Sequence, residues 1–321
     1  MLENQNSRYG AIARALPATM GKIFFVGHGS DTFTGDLLNE FPVDRDGVPR
    51  VYLTVAGADT DELAIQAALD ACVESRNDYV LVLPSNNDYD LAAALTMSKR
   101  DVHLLGMDYL FNKQETGSNS ATKIHQIADY DAITLTGGNC EIAGFYFKNY
   151  NNQGTIVCTG AVADCAHIHH NHFNMNATTT SGVPQVDFAG ASSSFALIEK
   201  NTFATNVSSL TFASIVSISS SCTWAKVLDN NFMIGDTCVA TIVINNLSYK
   251  GQTHDNDISV LSGGGGATGT ITNAITIGGG TAFGNRMAIA GTTTQDLVGG
   301  GATAFVDNRD ANNGGSLAFT T

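Results

Sequence analysis

Proline is nearly missing from this chain, with 5 in 321 residues against 33 glycines. Its turns must therefore be built with Gly and Asn, which accept left-handed backbone angles. Charged residues are also few, at 14%. That suits strands joined by uncharged polar turns. What charge there is has one sign, with a net of −14. Such an acidic surface disfavours nucleic acid and anionic membrane as partners. It suits a soluble particle or carboxylate sites for calcium, and charge does not choose between them. No run of 18 apolar residues occurs, so no helix is expected to span a membrane. Residues 1–20 scatter Glu3, Arg8 and Arg14 among polar residues and lack the apolar core of a secretion signal. No CxxC pair occurs among Cys72, Cys140, Cys158, Cys165, Cys222 and Cys238. These are expected to be buried free thiols acting as small apolar side chains. A chain this long does not need a disulfide framework.

The pattern that is present is aliphatic-x-x-Asn-x-apolar. It reads Ile168-His-His-Asn171-His-Phe173, Ile198-Glu-Lys-Asn201-Thr-Phe203 and Val227-Leu-Asp-Asn230-Asn-Phe232, with looser copies at Asn256, Asn285 and Asn308. Successive asparagines are 30, 29, 26, 29 and 23 residues apart. A period in that range marks a repeat architecture. The echoes sit in runs that alternate apolar and polar residues, such as Ile133-Thr-Leu135. That is the strand period of two. Helix-length apolar stripes are rare after residue 75, and no leucine-rich consensus appears. The expected fold is all-β, a single-stranded right-handed parallel β-helix. Ile168, Ile198 and Val227 should stack inside as an aliphatic ladder, and Phe173, Phe203 and Phe232 as an aromatic one. The asparagines should occupy left-handed bends and bond to one another from coil to coil.

Three parts are expected. Residues 1–55 read as an irregular N-terminal anchor or arm, with one possible strand at Gly21–Gly27. Residues 56–262 read as the β-helix, opened by a capping helix at 60–75. Leu63, Ile65, Ala67, Ala68, Leu69 and Cys72 would form its apolar face, and Thr60 or Asp59 its cap. Tyr79–Leu83 follows as an apolar strand. The end of a β-helix exposes unpaired backbone and an open core, which a helix can cover. Residues 263–321, opening with Gly263–Gly266, read as Gly-rich coils or an extension.

Asp61–Cys72, then Val80-Leu-Val-Leu-Pro84, then Val102-His-Leu-Leu-Gly106 resemble the opening of pectate-lyase-like β-helix proteins. The resemblance covers roughly residues 60–260. It implies the fold, and the fold hosts many functions. Lys22–Gly27, Leu37–Pro42 and Asp46–Tyr52 resemble the start of virion-associated β-helix proteins of tailed phages. The chain departs from them after Pro84, where Ser85-Asn-Asn-Asp88 replaces Gly-His-Thr. This resemblance implies a virion surface protein, a capsid decoration or head fibre, made in the host cytoplasm. It implies a homotrimer, docked on the major capsid protein or another virion protein through residues 1–50. Segments such as Arg8-Tyr9 and Ile23–Val26 would add to or wrap around that partner. A host surface glycan is a further expected contact. The alternative is a tail spike or polysaccharide-degrading enzyme of the same fold.

The enzyme alternative finds little support in the residues. The Arg-x-Pro-x-x-Arg of the lyases is absent. So are the Asp-Asp and Arg-x-Lys of the pectin hydrolases, which work with two close carboxylates. Gly27-His28-Gly29 is present, but before the first coil. The pairs Asp88/Asp90 and Asp129/Asp131 read as solvated turn residues. No catalytic residue and no cofactor are assigned. His167, His169 and His172 are candidate metal ligands. Ile168 points inward, so His167 and His169 should point outward together, and three copies in a trimer could meet around a transition metal. The competing reading gives His170 the slot of Lys200 and Asp229, and His172 the slot of Thr202 and Asn231. Those slots vary and look exposed.

Overall fold

The structure is a computed structural model. It describes residues 21–31, 43, 46–107, 122–149, 153–159, 163–175, 183–189, 194–205, 211–212, 214–219, 222–234, 237–244, 251–260, 271–289, 296–300, 304–306 and 309–310. Expectations for Arg8-Tyr9, Leu37–Pro42, Gly263–Gly266 and Asn308, and for the Cys238 side chain, lie outside the described residues.

The strands stack into three parallel sheets of 11, 9 and 9 strands, one from each face of successive coils. A representative coil runs Glu141–Ala143 on the first sheet, Tyr146–Asn149 on the second and Ile156–Cys158 on the third. The next repeats it with His167–His169, His172–Met175 and Val186–Phe188. The strands of these coils pair in parallel with their counterparts one coil away, and this is a parallel β-helix. Eleven strands at roughly 4.8 Å spacing make a rod about 50 Å long.

The repeat pattern becomes three interior ladders. Ile142, Ile168, Ile198 and Val227 are in register and fully buried. Phe147, Phe173, Phe203 and Phe232 stack with centroid spacings of 5.2, 4.6 and 4.8 Å. Near-parallel rings repeated at the strand spacing fill the core without voids.

The third ladder is asparagine. Asn201 Oδ1 accepts hydrogen bonds from the Asn171 backbone N–H (3.0 Å) and the Asn171 amide (3.2 Å). The Asn201 amide in turn donates to Ile168 O (2.9 Å) and to Asn230 Oδ1 (3.1 Å). The same bonds recur through Asn230, Asn256 and Asn285. The ladder begins at Asn171, whose Oδ1 accepts the Phe145 N–H. The asparagines are not the left-handed residues, as the sequence had suggested. The residue before each one is: His170, Lys200, Asp229, Asp255 and Gly284 have φ of 52°, 54°, 51°, 56° and 64°. That bend turns the chain sharply from the first sheet to the second, so the following Asn points into the corner.

The helix α1 spans Glu62–Ala71. It buries Ala64, Ile65, Ala68 and Leu69 against the first strands of the rod. Leu63 is 64% exposed rather than part of that face, because two residues on a helix are about 200° apart. Neither Thr60 nor Asp59 is the cap. Asp61 holds that position, and its carboxylate accepts the Asp90 N–H instead of capping the helix. Lys99 donates to the carbonyls of Asp70 (2.5 Å) and Cys72 (2.7 Å), satisfying the other end.

Two strands come from the segment expected to be an arm. Ile23–Gly27 lies between Val51–Leu53 and Asp78–Val82, all parallel, at the end of the first sheet. Phe25 and Val26 are therefore paired along both edges, and Ile23 and Phe24 along the Asp78–Val82 edge. Beyond residue 263, Ile271–Ile277, Gly280–Phe283 and Arg286–Ile289 continue the three sheets as further coils. No helix of the described residues is long and apolar enough to cross a membrane.

Candidate functional site

Strand alternation aims Ile168 into the core and its neighbours His167 and His169 outward. Their ring centroids are 3.9 Å apart. In register beside them stand His103 and Glu141 from the two preceding coils and Glu199 from the next. One face of the first sheet thus gathers imidazoles and carboxylates from four successive coils. His169 Nε2 lies 2.7 Å from Glu141 Oε1, and His103 Nδ1 lies 2.7 Å from Glu141 Oε2. His167 Nε2 is 3.1 Å from Glu199 Oε1. Behind them, His169 Nδ1 meets His170 Nδ1 at 2.8 Å, and His103 Nε2 meets Asn77 Oδ1 at 2.7 Å.

The electrostatics follow from this packing. Burial by itself raises the Glu141 carboxyl, but hydrogen bonds from His103 and His169 outweigh it and hold the group well below the usual carboxylate range. His167 is shifted down, first by burial and then by its neighbour His169. His170 is pushed down to about 4 by burial, with His169 and Lys200 adding to the effect. These shifts favour neutral rings at His167 and His170 at pH 7. Among the described residues, the donor atoms of Glu141, His167 and His169 all lie within 4.8 Å of one another.

His172 is not part of this group. It comes after the Asn171 corner and lies on the second sheet, stacked on Tyr146 at 4.7 Å. It is buried, not exposed as its slot suggested, and burial pushes its pKa down to about 4. Its Nδ1 has no hydrogen-bond partner among the described residues. Glu141 was missed because it sits 26 residues before His167, in a coil where Phe145 replaces the marker asparagine.

The other polar pairs are also engaged. Asp88 meets Lys148 at 2.5 Å, and Asp90 meets His125 at 2.7 Å, so they are more than solvated turn residues. Asp131 accepts the Gly154 N–H, and burial raises its pKa. His28 is buried, with Nδ1 2.6 Å from Ser30 Oγ and Nε2 3.7 Å from Asp61. Cys72, Cys140, Cys158 and Cys222 are buried free thiols. Cys165 is free but exposed, because it occupies a left-handed corner (φ 57°) outside the core. Phe195 and Trp224 hold the same corner in the next two coils, both at φ 61°, exposed and stacked at 6.2 Å. Compared with known proteins, the chain matches no family model, no curated protein and no solved structure.

Proposed function

We propose that this protein is a structural component of a phage virion, a rigid rod that decorates the capsid or projects from it as a head fibre. One observation carries the reading: polar groups inside and outside the rod are spent on holding coil to coil. The asparagine ladder does so within. Asp88 with Lys148, Glu141 with His103 and Asp257 with Arg286 do so without. The resemblance of residues 22–52 to virion-associated proteins supports the same conclusion. Docking is assigned to the N-terminal end of the rod. Val51–Leu53 is the terminal strand there, and Val55, Leu63 and Val73 expose apolar side chains nearby. Assembly as a homotrimer on the capsid belongs to this reading.

The test is a mass-spectrometric survey of purified particles, with copy number relative to the major capsid protein. Hundreds of copies per particle are expected. Absence from particles would refute the reading, and a handful would move the protein to the tail.

A second reading has its own observation. Exposed, stacked Phe195 and Trp224 offer a platform for a sugar ring, with the hydroxyls of Ser194 and Thr223 beside them at 2.8 Å from each other. A bulky side chain at positive φ is strained, and such strain persists where a site needs it. Trp224 is the only tryptophan, so its fluorescence reports directly on this platform. Saturable quenching by host polysaccharide is expected if the rod contacts glycans. No change would remove the platform from the account.

A further inference from the structure

We propose that Glu141, His167 and His169 form an intrachain site for a divalent transition metal of the zinc class, which staples neighbouring coils together. His167 and His169 come from one strand, and Glu141 stands opposite His167 on the preceding coil. The donor set therefore exists only when the two coils are stacked. Two imidazoles and a carboxylate suit zinc and its neighbours better than calcium or magnesium, which prefer all-oxygen shells.

The dimensions fit. Zinc bonds to nitrogen and oxygen of about 2.0–2.2 Å place tetrahedral ligands roughly 3.3–3.5 Å apart. The donor atoms lie within 4.8 Å of one another, and His169 Nε2 and Glu141 Oε1 are 2.7 Å apart. Small rotations of the side chains reconcile the two. Glu199 Oε1, 3.1 Å from His167 Nε2, stands ready as a fourth ligand or as a partner for metal-bound water.

The supporting shell is also of the kind that metal ligands have. With Nε2 of His169 on the ion, its proton sits on Nδ1 and is donated to His170 Nδ1, 2.8 Å away. His103 holds the second oxygen of Glu141 and is itself held by Asn77. His103 and His170 are thus positioning residues. Burial of the His169 side chain, 7% exposed, limits water at the ion, while His167 at 33% leaves an approach from solvent.

The experiment uses the full chain, stripped with chelator and titrated with ZnCl2 by calorimetry and by metal analysis after gel filtration. One zinc per chain and a raised melting temperature are expected. His167→Leu installs the residue that the next coil carries in that register, Leu197, so the fold is retained. It and Glu141→Gln should each weaken zinc binding by more than about 10-fold, and His103→Ala by roughly 10–100-fold without touching the ion. His254→Ala, which removes an imidazole paired with Asp255 far along the rod, should change nothing. Three outcomes would overturn the proposal: no zinc retained, equal retention in His167→Leu, or one ion per three chains, which would mean an axial site shared between copies.

Discussion

The slot that follows each first-sheet strand holds Asn171, Asn201, Asn230, Asn256 and Asn285 in five successive coils. The outward slot four residues earlier holds His167, Leu197, Lys226, Gln252 and Thr281. Inside, each coil faces the same demand. A buried corner must satisfy the same backbone groups every time, and one side chain does it. Outside, solvent makes few demands, so the residues vary, and a grouping peculiar to a few coils can arise there. His103, Glu141, His167, His169 and Glu199 are such a grouping, and it spans four successive coils.

The largest blow to the interior side of this comparison should come from Phe203→Ala. It removes the middle of the aromatic stack and should cost about 3–5 kcal/mol, measured by urea unfolding. Asn201→Ala follows. It takes the side-chain acceptor from the Asn171 N–H and one hydrogen bond each from the Ile168 carbonyl, the Asn171 amide and Asn230 Oδ1, and a loss of about 3 kcal/mol is expected from those groups.

Next comes the pH dependence of His172, which is buried but outward of the core. Its folded pKa lies below its unfolded value, so the unfolded chain binds more protons between about 6.5 and about 4. Stability should be intact above pH 6.5 and fall as pH drops through that window, by up to about 3 kcal/mol at about 1.4 kcal/mol per unit. His172→Thr, the residue in the same register one coil on, should flatten that part of the profile. An unchanged profile would place the acid sensitivity elsewhere. The smallest effect has the opposite sign. Lys200 is left-handed where Gly284 stands in a later coil, so Lys200→Gly should raise stability by about 0.5–1 kcal/mol in the same assay.

The interior was legible in the sequence because its demands repeat. Ile168, Ile198 and Val227, and the three phenylalanines after them, recur at one offset from one asparagine, and that offset is the register of the coils. The outer site was legible only by half. His167 and His169 share a strand, so alternation places them together. His172 lies beyond a corner, where a left-handed residue resets the alternation and sends the chain to another sheet. Glu141 joins the site through stacking, which linear spacing does not display in a coil lacking the marker asparagine. The same limit hid the place of Ile23–Gly27. Its apolar character was plain, but its position between Val51–Leu53 and Asp78–Val82 depends on strand order, which the local pattern does not encode.

The division between a repeated interior and a variable exterior is tested most directly by unfolding two variants side by side in metal-free buffer, Asn201→Ala and His167→Leu. The first should lose about 3 kcal/mol. The second gives up a half-exposed pairing with Glu199 and should stay within about 1 kcal/mol of the parent. Equal losses, or a greater loss from His167→Leu, would contradict the account.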